Sequence, residues 1–281
     1  MTTTMNDSSV NTFSNNYLYY DILRKIYFYH VEKYINNYLF KIKWNDLKRG
    51  LKILENEKEV SAYISFYGAL HFEKLILALK EINDYYLLNN IIRIYDWGCG
   101  QALGTLVLLN YLSKHKNNFI IKEINLIEPS KISLIIGEKY LKRYFQIHRI
   151  ENVKINSYNN KIENLNFDVF NENKCTYSGN IINVHIFSNV LDIFNDYINK
   201  FNCLKNFSGN FNLFLCVGPN DLNSRKGIDA LYSIYKNSDK LINISYRNEI
   251  LTTTSYRYYV NQIINNVQFS NYHRIFIHKI N

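Results

Sequence analysis

The stretch that decides the fold is YDWGCGQALGT, from Tyr95 to Thr105. It follows the apolar run IIRI and leads into LVLLNYL, and it holds three of the chain's ten glycines, Gly98, Gly100 and Gly104. Glycines let the backbone turn tightly and approach a ligand closely. A strand that ends at an acid, a glycine-rich turn and a helix start therefore predict one wall of a crevice for a polar ligand.

The rest of the chain from Ile91 onward alternates short apolar runs with helical stretches. The predicted strands are IIRIYDW, INLIEP, VKINSY, IINVHIFS, FNLFLCVG, YRYYVNQII and YHRIFIHKI. Strands that alternate with helices indicate an α/β fold with a doubly wound, Rossmann-like, mainly parallel sheet. The last two runs have no long helix between them, so we expect an antiparallel pair at the sheet edge.

Three regions are predicted along the chain. Residues 1–16 are a polar tail that we expect to be disordered, residues 17–88 a helical N-terminal extension, and residues 89–281 the ligand-binding α/β domain. The extension is rich in aromatic residues, and Tyr27, Val31, Tyr34 and Tyr38 recur at helical spacing. This spacing favours a packed helix face over a platform for stacking bases. We expect the extension to cover the strand ends as a lid or substrate wall.

Composition sets broad limits on function. The 281 residues carry a net charge of +9, and 47% are apolar, without a run long enough to span a membrane. The polar start does not resemble a secretory signal. The four cysteines, Cys99, Cys175, Cys203 and Cys216, have no metal-binding spacing. We therefore expect a cytoplasmic protein with reduced thiols, no metal and no membrane partner.

Two acids follow the first two predicted strands and restrict the ligand. Asp96 places a negative charge where the pyrophosphate of a dinucleotide would lie, which disfavours NAD, as does the GxGxxxG spacing. Glu128, at the end of INLIEP, is placed to accept both hydroxyls of a ribose. A ligand with a ribose, a positive group and no phosphate fits both acids, and S-adenosylmethionine is such a ligand.

The segments RIYDWGCGQALGT, INLIEPS and HIFSNVLDI together resemble the class I S-adenosylmethionine-dependent methyltransferases, over roughly residues 91–219. The resemblance implies a seven-stranded sheet with an antiparallel last strand, and methyl transfer from S-adenosylmethionine. It places Asp96 and the glycine loop at the methionine end, Glu128 at the ribose and the end of the fourth strand beside the methyl group. The expected cofactor-binding residues are Asp96, Gly98, Cys99, Gly100, Gln101, Gly104, Glu128, Pro129, Ser130, Asn160, Ser188 and Asn189.

Two departures from the family pattern bear on the substrate. Lys161 stands where many members carry an Asp or Asn that contacts adenine, and Asn160 is the expected substitute. The fourth-strand motif is SNVL rather than the Asn-Pro-Pro-Tyr form, which disfavours methylation of a base amino group. Asn189, Asp192 and His71 are candidate catalytic residues, although helix capping explains the first two equally well and packing the third. We interpret His185 as a core residue.

The acceptor is predicted to be a small molecule or a peptide, because the basic residues are scattered and the aromatic helix faces suit an enclosed pocket. Two alternatives remain open at this point. The net charge of +9 allows an RNA methyltransferase. The same sequence also fits a catalytically inactive scaffold that binds S-adenosylmethionine. The pattern does not predict an oligomeric state.

Overall fold

The computed structural model describes residues 21–36, 42–87, 90–115, 119–170, 179–257 and 262–280. The predicted tail, the first four residues of the predicted extension, Tyr38 and Cys175 lie outside these ranges.

The N-terminal extension is mainly helical in the described residues. Helix α1 spans Asp21–Asn36, and a 3₁₀ turn spans Trp44–Gly50. Helix α2 (Glu57–Tyr63) continues through a π-helical turn, Ile64–Gly68, into helix α3 (Ala69–Lys80). The Asn56 side chain caps α2 by accepting the Lys58 and Glu59 amides, which are otherwise without partners at a helix start.

The remaining chain forms a seven-stranded sheet. Its elements are β1 (Ile91–Trp97), α4 (Leu103–His115), β2 (Ile120–Ile127), α5 (Lys131–His148), β3 (Lys154–Tyr158), β4 (Ile181–Ser188), β5 (Phe211–Gly218), α6 (Leu222–Tyr235), β6 (Leu241–Arg257) and β7 (Gln262–Lys279). The strand order is β3-β2-β1-β4-β5-β7-β6. Strands β1 to β5 pair in parallel, and β7 runs antiparallel to both β5 and β6. The predicted fold class is confirmed, including the antiparallel last strand.

One strand prediction is wrong. The run YRYYVNQII does not form a single strand, because β6 ends at Arg257 and β7 begins at Gln262. Strand β6 starts much earlier, at Leu241, and most of its first two thirds is exposed or half-buried. Only residues 242–247 of β6 alternate apolar and polar side chains. The following residues, 248–255, are mostly polar, so the pattern does not indicate one strand over its whole length.

Two apolar cores cover the two faces of the sheet. Helices α1, α3, α4 and α5 belong to one core, while α6 and the 3₁₀ segment Asn195–Asn206 belong to the other. The extension is joined to the sheet by Tyr27, whose hydroxyl donates to the Ser65 carbonyl and accepts the Tyr256 amide, at 3.2 and 2.7 Å. This packing brings α2 and α3 to the carboxyl ends of the central strands.

Candidate active site

A cavity of about 250 Å³ lies at the carboxyl ends of β1, β2 and β4. Its wall combines the glycine loop, the tips of β2 and β4, the turn after β3 and the N-terminal extension. Among the residues predicted from sequence, the cavity is lined by His71, Gly98, Gly100, Gln101, Glu128, Pro129, Asn160 and Asn189. Carboxyl ends of parallel strands are where open α/β sheets bind ligands.

The two glycines of the loop have different structural roles. Gly98 and Gly100 adopt positive φ angles of +66° and +52°, a conformation that side chains disfavour. A Cβ at Gly98 would lie 2.7 Å from the Val190 side chain, whereas a Cβ at Gly100 would meet nothing within 4 Å. Gly98 is therefore required for packing, and Gly100 leaves open space for the approach of a ligand.

Several backbone amides of the loop are already paired within the protein. The Gly98 and Cys99 amides donate to the Ile127 carbonyl, and the Ala102 amide donates to the Cys99 carbonyl. The Gly100 amide donates to Glu128 Oε2 at 3.1 Å. Phosphate-binding loops present free amides to their ligand. These four amides are not free, so this loop is poorly suited to a pyrophosphate.

Glu128 presents to the cavity a carboxylate whose hydrogen-bond acceptor sites are only partly used within the protein. Its Oε1 accepts the Ser130 amide at 2.9 Å and its Oε2 accepts the Gly100 amide. Burial raises the pKa of Glu128 to about 7, although these two hydrogen bonds lower it. A carboxylate has about four acceptor sites, so two remain for hydroxyl donors such as those of a ribose.

Asp96, which we expected at the methionine end of the ligand, lies behind the glycine loop. The carboxylate is 1% exposed and does not line the cavity. Its Oδ2 accepts the amide and the hydroxyl of Thr105, at 3.0 and 2.7 Å. Gly104 makes room for it, because a Cβ there would lie 3.2 Å from Asp96 Oδ2. Asp96 therefore stabilises the first turn of α4 and supports the loop from behind.

Other predicted contact residues also lie behind the wall. Ser130 caps α5 by accepting the Ser133 amide, and it donates to the Leu54 carbonyl at 2.6 Å. Cys99 is buried, which raises the pKa of its thiol, and Ser188 accepts a hydrogen bond from Asn189. Cys99, Gly104, Ser130, Ser188 and Asp192 do not line the cavity. His185 is fully buried and bonded to Trp97 and Asn212, as a core residue.

Gln101 supplies a polar atom that has no partner within the described part of the chain. Its Nε2 donates to Ser133 Oγ at 3.0 Å, while its buried Oε1 has no hydrogen bond. A buried acceptor without a partner costs about 1–3 kcal/mol. Gln101 lines the cavity but its Oε1 is buried, so a ligand donor would reach this oxygen only after a small movement of the side chain. Together with Glu128, this acceptor-rich wall fits the hydroxyl and amino donors of S-adenosylmethionine.

An aromatic wall faces the loop from the extension. Tyr63, Tyr67 and His71 follow one another at a spacing of four residues around the π-helical turn, and all three line the cavity. Their ring centroids lie 5.0 to 6.0 Å apart, and Trp44 packs on Tyr67 at 4.2 Å. Burial lowers the pKa of His71 to about 3, so its ring is neutral at physiological pH. The wall is aromatic and uncharged.

Sequence reasoning missed Lys74, which lies beside the site. Its side chain is 5% exposed, and Nζ donates to Asn189 Oδ1 at 2.9 Å. Burial lowers the pKa of Lys74 to about 7. A signal was present in the sequence, because Lys74 follows Tyr67 by seven residues and so shares its helix face.

The described residues contain no group of three or more His, Cys, Asp or Glu side chains that could hold a metal ion. Among these residues no helix has the length and apolarity needed to cross a membrane. Cys99, Cys203 and Cys216 are free thiols.

The chain matches no protein-family model and no curated protein sequence. Its seven-stranded, mainly parallel sheet with an antiparallel β7 has the arrangement that the resemblance noted in the sequence implies.

Similar solved structures carry methyltransferase descriptions. A presumed RNA methyltransferase from Pyrococcus horikoshii is 9% identical, with 73% of this chain and 82% of that chain covered and a TM-score of 0.40. A presumed methyltransferase from Thermoplasma acidophilum is 12% identical, with 69% of this chain and 70% of that chain covered and a TM-score of 0.40. The trans-methyltransferase CalH, in complex with S-adenosylhomocysteine, is 10% identical. The match covers 75% of this chain and 58% of that chain, with a TM-score of 0.39. Likeness at this level does not carry an acceptor over to this chain.

Proposed function

We propose that the chain is an S-adenosylmethionine-dependent methyltransferase that acts on a small molecule or on one side chain of a peptide. The observation that carries this proposal is the arrangement of Glu128, which faces the cavity while it accepts the Gly100 amide. A loop closed by a carboxylate suits a ribose and a cation and disfavours phosphates. When bound, S-adenosylmethionine supplies a methyl group already activated on a sulfonium.

The residues that would hold the cofactor have separate tasks. Glu128 accepts the ribose hydroxyls, and Gln101 Oε1 accepts a donor from the same ligand. Gly100 allows the ligand to approach the loop. Asn160 and Lys161, on the turn after β3, line the part of the wall that we assign to adenine. Because the donor is already activated, orientation and exclusion of water are the main contributions left to the protein.

The lining of the cavity supports a small acceptor. We assign the acceptor wall to the extension, residues 17–88, through Tyr63, Tyr67 and His71. A polynucleotide would instead need a continuous basic groove and access to an unenclosed base.

Calorimetry with S-adenosylmethionine, S-adenosylhomocysteine and NAD tests the cofactor assignment. We expect the first two to bind, and Glu128→Gln to weaken both about tenfold or more, because charge-assisted hydrogen bonds to the ribose are lost. Glu138→Gln, which changes a half-buried residue of α5 outside the cavity lining, is the matched control and should bind normally. Binding of NAD without binding of S-adenosylmethionine would overturn the proposal.

Transfer of a labelled methyl group to fractionated small molecules, peptides and RNA then tests turnover. We expect label in the small-molecule or peptide fraction. Label confined to RNA would make the chain an RNA methyltransferase. Tight cofactor binding with no transfer to any fraction would favour a scaffold without catalytic activity.

A further inference from the structure

The Lys74 amino group is buried behind the wall of the cavity that the tip of β4 forms. Its hydrogen bond to Asn189 Oδ1 is 2.9 Å long, and Nζ lies 5.9 Å from the centre of the Phe269 ring. Lys74 itself does not line the cavity, but Asn189 does. The Asn189 carboxamide is therefore the layer that separates this amino group from a bound ligand.

Asn189 is held in an unusual conformation by its surroundings. Its φ angle is +60°, and its backbone amide donates to the Val217 carbonyl at 2.8 Å. Its side-chain Nδ2 donates to Ser188 Oγ at 3.0 Å. In its ammonium form a lysine has donors only, so the oxygen of the carboxamide must then point toward Lys74, while Nδ2 points toward Ser188 Oγ. Lys74 thus selects the orientation of the Asn189 carboxamide in which Oδ1, and not Nδ2, faces the amino group.

The charge of Lys74 is poorly compensated at this position. An amide oxygen is a neutral partner, and burial disfavours the charged form of a lysine. Three titratable groups face it: His71 on the same helix, Asp192 after β4, and Asp221 at the start of α6. Asp192 and Asp221 favour the ammonium form, but burial prevails and lowers the pKa of Lys74 to about 7. Both forms are therefore populated near neutral pH.

We propose that Lys74 is a positioning residue of the methyl-transfer end: it orients Asn189 against the ligand, and its charge state sets the preference of the cavity between the sulfonium donor and the thioether product. The proposal rests on the proposed function, since it assumes that S-adenosylmethionine binds here. A sulfonium is positively charged and a thioether is neutral, so an ammonium group nearby repels only the donor. Neutral Lys74 is the form that admits the donor.

The charge state of Lys74 should change the affinity for the donor, and this can be measured without knowing the acceptor. As the pH falls from 8 to 6, Lys74 becomes charged, and affinity for S-adenosylmethionine should fall relative to affinity for S-adenosylhomocysteine. Glu128 and Asp96, with pKa values raised to about 7 and about 6, titrate over the same range. The effect of Lys74 is therefore measured as a difference in relative affinity, donor over product, between the wild type and a variant without the amino group.

Calorimetry of both ligands at pH 6, 7 and 8 measures this difference. We expect Lys74→Met to raise the relative affinity for the donor at pH 6 by about fivefold over the wild type, with little effect at pH 8. Lys74→Arg, which stays charged, should disfavour the donor at every pH. Lys80→Met, in the exposed last turn of α3, is the matched control and should follow the wild type. Identical ratios in all four proteins would overturn the proposal.

An NMR titration of the chain labelled at lysine Cε provides a readout that does not depend on the variants binding ligand. The signal absent from Lys74→Met should titrate near neutral pH in the wild type, and S-adenosylmethionine should lower its midpoint while S-adenosylhomocysteine does not. A midpoint near 10 would contradict the inference. If the wild type binds neither ligand, the proposed function itself fails; if it binds both and Glu128→Gln weakens both, but the Lys74 signal does not respond, only this inference fails.

Discussion

The Gly100 amide donates to the Glu128 carboxylate at 3.1 Å, so the tip of β2 closes the glycine loop that follows β1. These two residues, 28 positions apart, form a single polar unit at the carboxyl edge of the sheet. The unit gives the loop a negative character, and it uses an amide that a phosphate would otherwise require. The choice of ligand class follows from this contact more directly than from the spacing of the glycines.

Gly98→Ala and Gly100→Ala form a matched pair that separates packing from ligand approach. Both place a side chain at positive φ, at about 1–2 kcal/mol of unfolding free energy. Gly98→Ala adds a clash with Val190, which should cost about 1–3 kcal/mol more. Gly100→Ala fills the open space above the loop and should instead weaken S-adenosylmethionine. Urea denaturation and calorimetry on both variants measure the two effects, and equal losses of stability would contradict this division.

Asp96 should make the stability of the fold depend on pH. Burial raises its pKa from an ordinary value of 3.8 to about 6, so the folded state binds the proton more tightly than the unfolded state. Its contribution to the unfolding free energy is therefore fully present below about pH 4 and is lost as the pH rises through 6. The difference between these pKa values corresponds to roughly 3 kcal/mol.

Asp96→Asn isolates this contribution, because asparagine does not titrate. We expect the unfolding free energy of the wild type, minus that of the variant, to fall between pH 4 and pH 7 in urea denaturation. Asp168→Asn, at an exposed position, should leave the pH dependence unchanged. A difference that rises with pH would mean that Asp96 is stabilised as a carboxylate. Affinity for S-adenosylmethionine should change less in Asp96→Asn than in Glu128→Gln, since Asp96 does not reach the cavity.

The parts of the fold that sequence predicted are those with local signals. Strand β1, the glycine loop and the start of α4 are contiguous, so apolar runs and glycine spacing define them. The direction of the Asp96 side chain was not predictable in the same way. It depends on the space left by Gly104 and on the Thr105 donors, both of which become visible only when α4 is folded against β1.

Other features escaped prediction because they depend on distant packing. Lys74 resembles the exposed lysines of the extension, and its burial follows from how α3 lies against β4, β5 and β7. Strand β6 has a polar pattern that an edge position tolerates and a central strand would not. The sequence predicted a packed aromatic face around Tyr27, but not that Tyr63 and Tyr67 line the cavity, because tertiary contacts alone bring them there.

Ser130 should couple the stability of α5 to the order of the cavity wall. It caps the helix and also donates to the Leu54 carbonyl, in the segment that lines the cavity. Ser130→Ala should lower the unfolding free energy by about 1–2 kcal/mol and speed amide exchange in residues 51–55. Ser157→Ala, which removes a hydroxyl from an exposed position, is the control. Unchanged exchange in residues 51–55 would show that the contact does not hold this segment.

Polynucleotide binding should be weak and should be lost at moderate salt. Residues 21–49 contain seven basic and three acidic side chains, a local excess of four. If about four phosphates of a single strand were neutralised, affinity would fall by about fifty-fold between 50 and 200 mM salt. Fluorescence anisotropy with a labelled single-stranded RNA over this range measures the dependence, with heparin as a polyanion control. Sequence-dependent RNA binding that persists at 200 mM salt would instead indicate a nucleic-acid acceptor, and the cavity would then have to open to admit a nucleotide.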